Sequence, residues 1–132
     1  MTPEQLKART RRFALDIIAL VSRLPRTLVA QVIGRQLVRC STSVGANYRA
    51  ACRGRSRAEF AAKVAIVLEE ADEAQYWLDL LHASAVCADE SVCRLMQEVN
   101  ELIAIFAASC KTSRGERAQA VRTPEKRFRV DA

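Results

Sequence analysis

Six arginines in the first half of the chain are spaced so that they could bind a row of phosphate groups. They are Arg35, Arg39, Arg49, Arg53, Arg55 and Arg57, here called the arginine strip. Because about 18 residues make five full turns of an α-helix, Arg35 and Arg53 project in one direction, roughly 27 Å apart along the axis. Arg39 and Arg49 lie close to that line, and the last two arginines extend it past the helix end. A guanidinium row of this length predicts contacts with a nucleic acid backbone.

The alternative interpretation of the arginine strip is a solvated or salt-bridged helix face, since exposed arginines commonly have no other role. Residues 1–68 contain 13 Lys and Arg against 3 Asp and Glu, whereas residues 69–110 contain 1 against 9. The basic half could bind a polyanion, or it could pack against the acidic half of the same chain or of another subunit. Tyr48 is the one aromatic residue expected beside the strip, so stacking on bases is not predicted.

Metal chemistry and catalysis find little support in the residue types. Asp79 and His82 have the i, i+3 spacing of a metal-ligand pair in a helical bundle. A carboxylate-bridged di-metal site needs two such pairs, and this chain has one histidine. The single histidine also excludes most nucleophile–base arrangements, and the chain has no glycine-rich phosphate loop. The sequence therefore predicts no metal, no cofactor and no catalytic activity.

The five cysteines are odd in number and show no C-x-x-C spacing. This pattern predicts reduced thiols in a cytoplasmic protein rather than a disulfide framework or a zinc site. Cys40 and Cys110 fall on apolar helical stripes, where a thiol behaves as a small hydrophobic group. Cys52, beside Arg53 and Arg55, has the most cationic sequence neighbourhood of the five thiols.

Apolar residues recur in steps of three and four along four segments, which predicts four helices to carry these side chains. The first starts at a Thr2–Pro3 cap and ends before Pro25. The second stops at Gly54, and the third starts with a capping box at Ser56. The expected core residues are Leu6, Phe13, Ile17, Leu20 and Leu24, then Val29, Ile33, Leu37, Cys40, Val44 and Ala51, then Phe60, Val64, Val67, Ala71, Ala74, Leu78 and Leu81, and finally Val92, Leu95, Val99, Leu102 and Phe106.

Short connections between long helices make sequential helices antiparallel, so we expect an all-α, up-down-up-down four-helix bundle. The length of 132 residues fits one domain, and half of the residues are apolar. The periodicity fails from residue 111, which assigns residues 1–112 to the bundle and residues 113–132 to a basic, mobile tail. No apolar run reaches the ~18 residues that span a bilayer, so no membrane partner is predicted.

Residues 41–47 are small and form helix poorly, and Gly45 alone should cost about 1 kcal/mol relative to alanine. Such residues either allow another helix to approach closely or mark a ligand-binding break in the helix. Ser43 and Asn47 are spaced to share a polar contact.

The third predicted helix carries more apolar residues than one seam needs. Ile66, Trp77 and Leu80 lie beside its main stripe. They are buried either in a broad core or by another subunit.

Several stretches of the sequence together match one family pattern. They are Leu24-Pro25, the run Gln36-Leu37-Val38-Arg39-Cys40-Ser41-Thr42-Ser43-Val44-Gly45-Ala46-Asn47-Tyr48, the run from Arg55 to Phe60, and the run from Ala71 to Leu78. Over residues 10–110 the chain resembles the bacterial four-helix-bundle family named for proteins encoded in intervening sequences of 23S ribosomal RNA genes. One branch ends the second helix with Asn-x-x-Glu-Gly, but here Ala51 takes the place of the glutamate.

The resemblance implies a ring-shaped homopentamer of up-down bundles without enzymatic activity. Related accessory proteins of diversity-generating retroelements imply a basic pentamer surface that associates with RNA or DNA and with a reverse transcriptase. Arg39, Arg49 and Arg53 are the implied contacts, because the family motif has arginines at these positions. No ribosomal role is implied.

Two functions stay open at this point. The first is a non-enzymatic, oligomeric bundle that associates with nucleic acid through the arginine strip. The second is a structural oligomer or protein adaptor whose segregated charges serve subunit packing.

Overall fold

Four α-helices make up the part of the chain that the structure describes. The structure is a computed structural model, which describes the backbone of residues 1–122 and the side chains of residues 1–113. The helices are α1 (Pro3–Ser22), α2 (Leu28–Cys52), α3 (Arg57–Ala83) and α4 (Glu90–Arg122). Each packs against the next one along the chain, and α1 also packs against α4. The predicted all-α, up-down-up-down four-helix bundle is confirmed.

Side-chain caps start the helices where the sequence placed them. The Thr2 hydroxyl accepts a hydrogen bond from the Gln5 N–H at 3.1 Å, and the Gln5 side chain accepts one from the Thr2 N–H at 2.8 Å. At α3, the Ser56 hydroxyl accepts from the Glu59 N–H at 3.1 Å, whereas the Glu59 carboxylate accepts from the Arg55 N–H. The Glu59 side chain therefore binds the preceding turn instead of completing the predicted box.

The core consists of the inward stripes of the four helices, and nearly every expected core residue is buried in it. Ile17, Leu37 and Leu102, for example, are fully buried. Leu24 and Phe60 are half-buried and pack against the core. Val29 is the one expected core residue that is exposed, at 52%. It lies about 80° around the helix from Leu37, and Ala30 takes the inward position instead. The prediction of Val29 as a core residue was wrong.

The small residues of α2 let α1 approach closely. A Cβ atom at Gly45 would lie 3.4 Å from Thr10 Oγ1 and 3.7 Å from the Thr10 backbone carbonyl carbon. α2 continues through this stretch without a break, so the close-approach interpretation is confirmed and the ligand-binding break is wrong. Asn47 Nδ2 donates to Ser43 Oγ at 2.8 Å and to its carbonyl oxygen at 3.0 Å, as the spacing predicted.

The broad apolar flank of α3 is only partly covered within one chain. Trp77 and Leu80 are half-buried and pack against the core. Ile66 is 38% exposed, and Tyr76 on the same helix is 57% exposed.

The last helix is longer than the sequence predicted. α4 continues to Arg122, so residues 113–122 are helical where we expected the tail to begin. Residues 123–132 lie outside the described residues, and the mobile tail stays a prediction for them. Within the described part of the chain, no helix is long and apolar enough to cross a membrane.

Candidate functional site

The six residues of the arginine strip all lie at the surface, on the α2 face turned away from the core and around the α2–α3 turn. Arg35, Arg39 and Arg49 are on the helix itself, and Arg53 is its C-terminal cap. Leu37 and Val44, on the opposite side of α2, are fully buried. The helical register thus separates the guanidinium groups from the core, as the spacing predicted.

A tight turn brings the last arginines of the strip together. A Cβ atom at Gly54 would lie 3.0 Å from the Ala51 carbonyl oxygen and 3.4 Å from the Phe60 backbone nitrogen. A side chain at this position would be crowded by the backbone at the end of α2 and the start of α3, which favours glycine in the turn. The short connection places Arg53 and Arg55 on either side of Gly54, so the positive charge of α2 continues to the start of α3.

Four members of the strip form no ion pair with any residue whose side chain is described. They are Arg35, Arg49, Arg53 and Arg55. Several arginines elsewhere in the bundle are paired. Arg9 of α1, for instance, binds Glu98 at 2.8 Å and Glu101 at 2.7 Å on α4, and these hydrogen bonds raise the pKa of its guanidinium. The difference marks these four members of the strip as cations that no described side chain neutralises.

Arg39 is a member of the strip whose charge the bundle neutralises. Its Nη1 lies 3.3 Å from Glu70 Oε2, its Nη2 contacts the Glu73 carboxylate, and its Nε donates to the Gln36 side chain at 3.1 Å. Hydrogen bonding to Glu73 raises the pKa of Arg39. The alternative of a salt-bridged face therefore holds at Arg39.

Glu73 is the centre of a small polar network on α3. Its Oε2 accepts a hydrogen bond from Trp77 Nε1 at 3.1 Å as well as from Arg39. The bond from Trp77 lowers the pKa of Glu73 most, and the charge of Arg39 adds to the effect. Trp77 of the apolar flank is thereby connected to the arginine strip, a link that the one-dimensional pattern did not indicate.

Tyr48 does not lie beside the strip as we expected. It is about 220° around the helix from Arg35, and its side chain is 5% exposed. Its ring centroid is 5.5 Å from that of Phe106, and burial raises the pKa of its hydroxyl. The correction leaves the α2 part of the strip without an aromatic side chain.

The thiols fit a structural role better than a reactive one. Cys40 is buried as predicted, and burial raises the pKa of its thiol to about 11, which keeps it protonated. Cys52 is half-buried and hydrogen-bonds Tyr48. Among the described residues, no three His, Cys, Asp or Glu side chains converge to hold a metal ion.

Two surface clefts border the strip and were not predicted. One, of about 880 Å³, lies between the α2–α3 turn and α4. Three of its lining hydroxyls belong to Ser109, Thr112 and Ser113 of α4. The other, of about 580 Å³, lies between α1 and α2 and has Arg26 and Arg35 at its edge. Neither cleft could be predicted from the sequence, because the position of each depends on which helices are neighbours.

Comparison with known proteins supplies a family for this bundle. The family model described as 23S rRNA-intervening sequence protein matches residues 5–108. The chain belongs to this family. Its structure is similar to the crystal structure, at 1.70 Å resolution, of a protein with unknown function of the S23 ribosomal protein family from Bacteroides thetaiotaomicron. The two share 32% sequence identity and a TM-score of 0.71, over 80% of this chain and 97% of the other.

No curated protein matches the sequence. The family resemblance drawn from the second and third helices is confirmed. Neither description names an enzymatic activity, so membership of the 23S rRNA-intervening sequence protein family leaves function to be argued from the surface of the bundle.

Proposed function

We propose that this protein is a non-enzymatic, oligomeric four-helix bundle that associates with nucleic acid through the arginine strip. One observation carries the proposal: Arg49, Arg53 and Arg55 are exposed at one end of the bundle and have no ion-pair partner among the described side chains. Unneutralised guanidinium groups on a line match a phosphate backbone, which is a regular row of negative charges.

The chemistry of the strip favours binding to phosphates rather than to bases. Arg49 and Arg53 are about 6 Å apart along the axis, and Arg35 is about 21 Å from Arg49. Because Tyr48 is buried, the α2 part of the strip offers no ring for stacking. Binding should therefore depend little on sequence and strongly on salt, because each phosphate contact releases condensed counterions.

A salt titration tests the proposal on the full chain. A gel shift with a duplex of about 20 base pairs, and with single-stranded RNA of similar length, gives the slope of log K against log salt. The variant Arg49→Gln/Arg53→Gln should weaken binding of every sequence alike and reduce the slope by about two units.

A matched control is Arg12→Gln/Arg94→Gln. Both of these arginines are exposed, and each pairs with an acid on its own helix, Asp16 at 2.9 Å and Glu90 at 3.2 Å. The control removes the same charge and should leave the slope nearly unchanged. If the two variants lost affinity and salt slope equally, net charge alone would explain the binding, and the arginine strip would have no special role.

The oligomeric part of the proposal rests on the apolar flank of α3. Ile66 and Tyr76 are too exposed for a flank that serves only the core of one chain. In a head-to-tail ring, this face of one subunit would meet a different face of the next, and the split between a basic and an acidic half would add complementarity. Five subunits, and a reverse transcriptase as a further partner, stay predictions from the family resemblance.

The second candidate function is a structural oligomer or adaptor in which the arginines serve subunit packing. The observation that favours it is Arg39, whose charge is already used between helices. A sizing column separates the candidates. If the Arg49→Gln/Arg53→Gln variant dissociates into smaller species and binds nucleic acid as before, the arginines serve subunit packing. If it keeps its size and loses binding, they contact phosphate.

Both candidates place the protein in the cytoplasm. That compartment keeps unpaired cysteines reduced, and all five cysteines are without a disulfide.

A further inference from the structure

We propose that Glu70 and Glu73 of α3 are counter-ions that phosphate displaces from Arg39. Phosphate binding to Arg39 therefore loosens the contact between α2 and α3. The inference rests on the proposed function and adds specificity-determining residues to it. It assigns Arg39 a different role from Arg49 and Arg53, which need not give up a described partner before they bind.

The contacts of Arg39 are suited to exchange. Its side chain is 49% exposed, and those of Glu70 and Glu73 are 17% and 37% exposed. Ion pairs at this depth are weak because water screens them. A phosphate oxygen offers the guanidinium group the same acceptor geometry as a carboxylate, so one can replace the other without a change in the helix.

The position of Arg39 makes the exchange depend on a ligand that extends along the strip. Arg39 is about 15 Å from Arg49 and about 6 Å from Arg35 along the axis of α2. A phosphate backbone held at Arg49 and Arg35 must pass Arg39 and brings a high local concentration of phosphate to it. A single phosphate has no such advantage over two tethered carboxylates.

Trp77 connects this exchange to a signal that can be measured. It is the one tryptophan of the chain, and its Nε1 donates to the same Glu73 oxygen that Arg39 contacts. When phosphate takes Arg39, Glu73 loses its cation and the surroundings of the indole change. Tryptophan emission should therefore change when a duplex of about 20 base pairs saturates the strip.

A double-mutant cycle tests the inference in the full chain. Glu70→Gln/Glu73→Gln frees Arg39 while keeping the shape of both side chains. It should bind the duplex about three- to fivefold more tightly than the wild type, the range expected for an exposed ion pair, with a salt slope steeper by up to one unit. Inorganic phosphate alone should leave wild-type emission unchanged.

Two controls separate exchange from general electrostatics. Glu69→Gln/Asp72→Asn removes the same charge from exposed positions of α3 that form no described ion pair, and it should strengthen binding by less. In an Arg39→Gln background, Glu70→Gln/Glu73→Gln should lose its advantage over Glu69→Gln/Asp72→Asn, and duplex binding should no longer change the emission.

The outcomes distinguish this inference from the proposed function. Duplex binding that needs Arg49 and Arg53, together with equal gains from the two charge-removing variants or an unchanged emission, would overturn the counter-ion role alone. Absence of duplex binding by the wild-type chain would overturn both.

Discussion

Two parts of the arginine strip look alike in sequence but differ in structure: Arg39, near the N-terminal end of the strip, and Arg49 to Arg55, towards its C-terminal end. Around Arg39, the facing helix provides carboxylates at Glu70 and Glu73. The guanidinium groups of Arg49 and Arg53 form no ion pair with any described carboxylate. The helical period decides that all these arginines point outward, but the neighbouring helix decides which of them keeps an unneutralised charge. A surface arginine is therefore a candidate ligand contact only after its neighbours are known.

The largest effect should come from removing the unpaired end. Arg49→Gln/Arg53→Gln/Arg55→Gln removes three phosphate contacts, so affinity for a duplex should fall less steeply with salt. When the salt is raised from ~50 to ~200 mM, the factor by which duplex affinity falls should be about 40 times smaller for the variant than for the wild type. The melting temperature should stay close to the wild type, because these side chains are exposed and form no described ion pair. A salt slope unchanged by the triple substitution would remove the distinction between the two ends.

A second substitution disturbs the scaffold that both ends share. Gly45→Val places branched carbons against Thr10 of α1, where a Cβ would already lie 3.4 Å from Oγ1. Overpacking of this kind costs roughly 1–3 kcal/mol of unfolding free energy, which circular dichroism would detect as a lower melting temperature. Ala46→Val, one residue further on an exposed position of α2, introduces the same side chain and should cost much less. Equal destabilisation by the two would mean that contact with α1 does not account for the cost of Gly45→Val.

Most of the fold could be predicted from the sequence. The period of the apolar residues predicted the four helices and nearly all of the core, because burial of one face is what forms each helix. Val29 was misplaced because a first helical turn has few neighbours to fix its register. Tyr48 was assigned to the strip although its ring lies against Phe106.

The candidate site was predictable only in part. The surface position of all six arginines followed from spacing alone. The charge split left pairing of the strip with the acidic residues of the third helix open as an alternative. Which arginine is paired depends on the packing of α2 against α3, because Glu70 is 31 residues from Arg39 along the chain. The clefts beside Arg35 and Arg55 could not be predicted either, because each lies between helices that only the fold brings together.

A third prediction concerns an arginine that is paired at the opposite end of the bundle. Arg23 Nη1 lies 3.3 Å from Asp89 Oδ2, and Asp89 also accepts from the backbone and hydroxyl of Ser91 and from the Val92 N–H. The hydrogen bonds from Ser91 and then Val92 lower the pKa of Asp89 to about 2. Because the folded-state pKa is below the ordinary value of 3.8, the stabilisation is present above pH 3.8 and is lost as the pH falls towards 2.

Melting temperatures of the wild type and of Asp89→Asn across this range would measure the effect. The variant should melt at a lower temperature near pH 6, and the difference should disappear near pH 2. Asp72→Asn, at an exposed position of α3 without a described ion pair, is the matched control and should show little difference at either pH. A gap that persists at low pH would assign the effect of Asp89 to something other than its charge.

A small effect on both stability and duplex binding is expected at Arg39, the paired member of the strip. Arg39→Gln breaks an exposed ion pair, so the melting temperature should stay within about 3 °C of the wild type. Its effect on duplex binding should also be smaller than that of Arg49→Gln, since Arg39 must leave Glu70 and Glu73 before it can bind phosphate. A loss of binding as large as that of Arg49→Gln would show that the carboxylates do not hold Arg39 back.

The central claim is that the unpaired arginines of α2 contact phosphate, and side-chain NMR of the full chain tests it directly. With ¹⁵N-labelled arginine, each Nε–H group gives a separate signal that can be followed as a duplex of about 20 base pairs is added. We expect the signals of Arg49 and Arg53 to shift first and the signal of Arg39 to shift only as the strip saturates. The signals of Arg12 and Arg94 should not shift. Equal shifts at all five arginines, or none at Arg49 and Arg53 while the duplex is bound, would contradict it.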